Sequence, residues 1–148
     1  MVEFAVAVLL LVTVSGAIVD CCRVIYADHY VGYAAAAGAR YAMVRGSTWK
    51  NVNCSTPSTE SCTASADSVR NMVKSIAPVG VSIGNNMSVA TTWTGVNPDG
   101  ANCKVGGQSN LPGCIVEVQV SYDFSYALPF MPRNAIHLSS TSGTVIAQ

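Results

Sequence analysis

The chain has 148 residues, 50% hydrophobic and only 11% charged, with 8 Lys and Arg balancing 8 Asp and Glu. That length suits one small domain with an appendage, and so little charge leaves apolar surface that must meet lipid or other protein. A net charge of zero excludes nucleic acid and anionic lipid headgroups as main partners, since both demand a basic surface.

The first element is apolar. Phe4 to Val19 is a run of 16 residues without a charge, carrying only the hydroxyls of Thr13 and Ser15, and Glu3 stands directly before it. A carboxylate at the head of such a run is costly in a bilayer and marks a functional partner. The run lacks the basic flank and small-residue cleavage site of a secretory signal, because the first basic residue is Arg23. As a bilayer span it is slightly short, covering about 24 Å of a hydrocarbon core of roughly 30 Å. No Lys or Arg precedes it to set orientation, which is the pattern expected after removal of a basic leader.

Helical character continues beyond Val19. No proline occurs before Pro57, and Ala34, Ala35, Ala36, Ala37 and Ala39 are strong helix formers. One helix is therefore expected from about residue 2 to about Val44, ended by Gly46 and Ser47-Thr48, as a rod on the order of 60 Å long. Tyr26, Tyr30, Tyr33, Ala37 and Tyr41 recur at spacings of four and three, a stripe expected to pack on a sheet. The small residues Ala34 to Ala39, with Gly38, offer close approach to a neighbouring helix.

Six cysteines divide by context. Cys54 and Cys62 flank a Ser/Thr-rich loop and Cys103 and Cys114 flank a Gly-rich one, spacings that suit disulfides in an oxidising compartment. Cys21 and Cys22 are adjacent, point about 100° apart on a helix and read as small hydrophobes at the membrane boundary. No metal is expected, since there is no Cys-x-x-Cys pair and His29 and His137 are isolated; no cofactor is expected either.

The remainder reads as a small α+β head. Ala64 to Ile76 places Val69, Met72, Val73 and Ile76 on one helical face. Val79 to Ile83 and Ser88 to Thr94 are β-rich, with Gly84-Asn85 as a turn between them. Val116, Val118, Val120, Tyr122 and Phe124 alternate with polar residues as in a half-buried strand, and Ile136 to Ile146 adds a last one. Asn97-Pro98-Asp99-Gly100 is an ordinary turn signal in preference to a calcium loop. Asn53-Cys54-Ser55 and Asn86-Met87-Ser88 fit the N-glycosylation pattern. No nucleophile elbow, phosphate-binding glycine motif or zincin helix is present, and the acidic pair Glu117 and Asp123 falls on an outward strand face, so an enzyme is not expected.

Val2-Glu3-Phe4-Ala5 with its aliphatic run, then Asp20, Tyr30 and Gly38-Ala39-Arg40-Tyr41-Ala42, resembles the TadE and TadG group of pilin-like proteins. Val116 to Pro129 is similar to that family's C-terminal strand and proline turn, while residues 46–114 carry no likeness. The glutamate is third here, where type IV pilins usually carry it fifth in the mature chain, so a mature start other than Met1 is one expectation. The resemblance implies a type IV pilin-like α+β fold: residues 1–24 as a transmembrane or filament-core segment, and 25–148 as a head in which the helix continues to about 45 against a small antiparallel sheet. It implies a structural subunit of an extracellular Tad pilus, a self-associating helical homopolymer held in the inner membrane before assembly and displayed at the cell surface after it. A prepilin peptidase and the assembly machinery are the implied partners. Glu3, Met1 and Phe4 are the implied assembly residues, the Glu3 carboxylate meeting the α-amino group of Met1 in a neighbour, with Val6, Leu9, Leu10, Val14, Ala17 and Ile18 in the filament core. The alternative is an anchored minor pseudopilin that primes assembly or acts as a tip adhesin.

Overall fold

The structure, a computed structural model, describes residues 2–47, 62–81, 84, 86–100, 102–103, 110–127 and 136–147. Helix α1, Val2–Met43, is followed by α2, Ala66–Ser75, and three strands, β1 Met87–Thr94, β2 Ile115–Phe124 and β3 Ile136–Val145. The strands form one antiparallel sheet in the order β1-β2-β3, with Trp93 opposite Val116 and Phe124 opposite Ile136. The C-terminal half of α1 lies on β2 and β3, and α2 lies between α1 and β1. This is the expected α+β arrangement of a long helix on a small sheet.

Alternation makes β2 the centre of the core. Val116, Val118 and Val120 are fully buried, and Tyr122 and Phe124 nearly so, each such side chain contributing about 1.5–3 kcal/mol. The inner positions of β3 are instead mostly small and polar (Ser140, Ser142, Thr144) and only half-buried. Helix α2 begins at Ala66, two residues later than its apolar pattern suggests, because Ser65 caps it. The Ser68 amide donates to Ser65 Oγ at 3.2 Å and the Ser65 amide donates to Ser68 Oγ at 2.7 Å, a reciprocal box. Val69 and Val73 face the core, and Met72 and Ile76 flank it.

The face that α1 buries runs through Ala27, Val31, Ala34, Ala35, Gly38 and Ala42. Small side chains are needed there because a Cβ on Gly38 would lie 3.1 Å from both Val118 Cγ1 and Val73 Cγ2. The small-residue stretch is thus consumed inside this chain's own head, not left for a neighbouring helix. For the same reason the tyrosine stripe is divided. Tyr30 and Tyr41 are buried, whereas Tyr26 and Tyr33 stand in the open, since the stripe's axis lies at the edge of the packed face and not at its middle.

Other expectations change in the loops. Val79 to Val81 is a turn, not a strand, with Gly80 at φ +97° and the Val81 amide donating to the Pro78 carbonyl at 3.3 Å; the rest of that expected strand, Ser82-Ile83, and Asn85 of the expected turn lie outside the described residues. The Asn97 tetrapeptide is closed by the Gly100 amide on the Asn97 carbonyl at 2.9 Å, and its Pro98 packs against Gly113, where φ is +89° and no Cβ fits. A disulfide joins Cys103 to Cys114. Cys62 is also disulfide-bonded, while Cys54 lies outside the described residues, as do Met1 and the Leu128-Pro129 turn. The chain end is tied down by the Ile146 amide on the Cys114 carbonyl (2.8 Å) and the Ala147 amide on the Met43 carbonyl (3.2 Å).

Candidate assembly surface

Below the head, α1 has no cover. Every residue from Val2 to Val19 except Gly16 is exposed, and an 18-residue window there has a mean hydropathy of 2.4 with none of it buried. Phe4, Val6, Leu9, Leu10, Val14 and Ile18 are bare apolar side chains, with Ala17 among them. An apolar surface of this extent is far beyond what a soluble monomer shows and calls for lipid or protein around it. The backbone is ready for such surroundings. The two hydroxyls in the run are satisfied within the helix, Thr13 Oγ1 donating to the Leu9 carbonyl at 2.7 Å and Ser15 Oγ to the Leu11 carbonyl at 2.8 Å. Glu3, exposed in the first turn, is the single formal charge from Val2 to Val19, where the helix dipole favours a carboxylate.

At the base of the head the helix changes character within four residues. Asp20 is buried; its carboxylate accepts from Arg23 Nη1 at 2.7 Å and from the Ala127 amide at 3.2 and 3.1 Å. The Arg23 guanidinium lies 5.2 Å from the centre of the Phe124 ring, which in turn meets Tyr126 edge-on. An open groove of about 400 Å³ runs beneath Ala127 beside Gly16 and Val19. Cys21 and Cys22, the free cysteines among the described residues, are exposed at this level.

Two of these arrangements were not foreseen from the residues alone. For Asp20 and Arg23 the available signal is their i, i+3 spacing just after the apolar run, but nothing in the sequence points to Ala127. The second is higher on α1, where Tyr30 OH donates to the Val73 carbonyl at 2.9 Å and lies 3.8 Å from Met87 Sδ, joining α1, α2 and β1. Burial raises the Tyr30 pKa from 10.0 to about 12. On the outer sheet face, His137 Nδ1 lies 2.6 Å from Asp123 Oδ1 across the β2–β3 register, so neither stands isolated; an exposed pair of this kind contributes little.

The family model described as TadE-like protein matches residues 1–40. The N-terminal segment is TadE-like. The TadE-like match takes in the whole exposed rod, the Asp20–Arg23 junction and most of the packed half of α1, and with the apolar helix it supports a protein associated with the Tad pilus. No curated protein and no solved structure matches the chain.

Proposed function

We propose that this chain is a structural pilin subunit that polymerises through the apolar half of α1 into an extracellular, type IV-like Tad filament. The observation that carries this reading is the division of one helix: one half is closed into a head, while the other is apolar, uncovered and headed by a single carboxylate. Bundled copies bury that half against one another and leave the heads outside. The proposed role is architectural, without a catalytic step. Before assembly the same half sits in the inner membrane, where a prepilin peptidase and the pilus machinery are the proposed partners. An anchored minor pseudopilin, working as a primer or tip adhesin, would keep the rod in lipid instead.

Electron microscopy of sheared surface material and of the purified full-length chain separates the two. Polymers built from this chain are expected, with Glu3→Ala abolishing or misregistering them while the head still folds. A full-length product that stays a dispersed monomer outside membrane mimetics contradicts the filament.

A further inference from the structure

We infer that the cation meeting Glu3 in the assembly is Arg23 of a second copy of this chain, an inference that rests on the filament reading above. When apolar halves pack together, a carboxylate carried among them must be matched by an opposite charge or it strongly destabilises the packing. Arg23 is the first basic residue of the chain and sits where the rod enters the head. Its side chain is 42% exposed. One nitrogen is committed to Asp20 and the guanidinium is held over Phe124, which fixes its position, while a guanidinium has further donors to offer a second carboxylate. The other described cations, Arg40, Arg45, Arg70 and Lys74, lie farther up the head.

Pairing position 3 with position 23 sets a parallel shift of about 30 Å between copies. Residues 2–23 of one copy then run alongside residues 22–43 of the next. The upper half of α1 carries what such a neighbour needs. Ile25, Tyr26 and Tyr33 are 54%, 51% and 66% exposed although the other side of the same helix is packed. Tyr26 is three residues from Arg23, and Tyr33 is seven beyond Tyr26, so a helix docked by its Glu3 at Arg23 meets both. Its Val6, Leu9 and Leu10, themselves bare, supply the apolar cover.

The test uses polymer of the full-length chain. Glu3→Gln and Arg23→Gln should each lower sheared polymer on the order of a hundredfold, and the double variant should fall no further than either single one. Arg23→Lys should keep polymer, and treating that polymer with a carbodiimide should give a zero-length amide between positions 3 and 23, found as a linked peptide by mass spectrometry. Within one chain these positions are about 30 Å apart, so such a link joins two copies. The link also reports the contact independently of whether Arg23→Gln weakens the head through Asp20. Arg23→Lys polymer without the 3–23 amide, or normal polymer from Arg23→Gln beside its loss in Glu3→Gln, overturns the pairing and leaves the filament standing. Absence of polymer from the unaltered chain overturns both.

Discussion

Asp20 accepts the backbone amide of Ala127 with both carboxylate oxygens across 107 positions of sequence. That contact fastens the end of β2 to the helix at the level where the bare rod begins, so the base of the head is held by a buried charge. Asp20→Ala leaves the Ala127 amide and the Arg23 guanidinium without this partner, at a cost of about 2–4 kcal/mol. The expected result is a lower denaturation midpoint of the head and faster exchange of the Ala127 amide, with Asp20→Asn intermediate. Unchanged exchange at Ala127 in Asp20→Ala would show that the hydrogen bond does not hold this segment.

Tyr30 gives the head a defined alkaline limit. Its folded-state pKa is raised, so below pH 10 the hydroxyl is protonated in both states and its contribution is fully present. Between pH 10 and about 12 the unfolded chain loses this proton first, and stability falls as pH rises, by on the order of 2 kcal/mol. Tyr30→Phe should remove that slope while costing about 1 kcal/mol at neutral pH through the lost bond to the Val73 carbonyl. Urea titrations of both chains at pH 8 and pH 11 measure it; parallel losses at pH 11 would assign the slope to other groups.

At Gly38, α1 packs tightly against Val118 of β2 and Val73 of α2. Gly38→Val drives methyls into Val118 and Val73, which already stand 3.1 Å from the site of a single Cβ. Overpacking costs about 1–3 kcal/mol, and the gain in helix propensity from replacing glycine offsets less than about 1 kcal/mol of it. A reduced thermal midpoint with an unaltered apolar rod is expected. Gly38→Ser, smaller and polar, should fall between the two.

Much of this architecture was legible because it depends on local pattern. The length of α1 follows from alanines and the absence of proline, and β2 follows from strict alternation between Val116 and Phe124. The bare rod was legible from composition alone. Periodicity failed where it had to choose between neighbouring faces: it placed Tyr26, Tyr30 and Tyr33 together, but the close fit demanded by Gly38 and the alanines turns Tyr26 and Tyr33 outward. At Val79 the β-branched run was outweighed by Pro78 and by the left-handed Gly80. The Asp20–Ala127 contact joins a side chain to a backbone amide, and an amide leaves no trace in residue identity.

The Cys103–Cys114 disulfide closes a connection between β1 and β2 with a sequence separation of 11. In the chain-entropy account a loop of that size stabilises by about 3 kcal/mol. Cys114 is also the point where the chain end is fastened, through Ile146, so loosening it affects β3 and the C-terminal end of α1 together. Replacing both residues by serine should lower the thermal midpoint, and reductant should destabilise the unaltered chain more than this variant, which keeps only the Cys62 disulfide to lose. Proteolysis provides a spatial readout, with early cleavage expected between Gly95 and Leu111. If the serine pair were as stable as the unaltered chain, the packing of Cys103 and Cys114, both nearly fully buried, would be holding this loop without the bond.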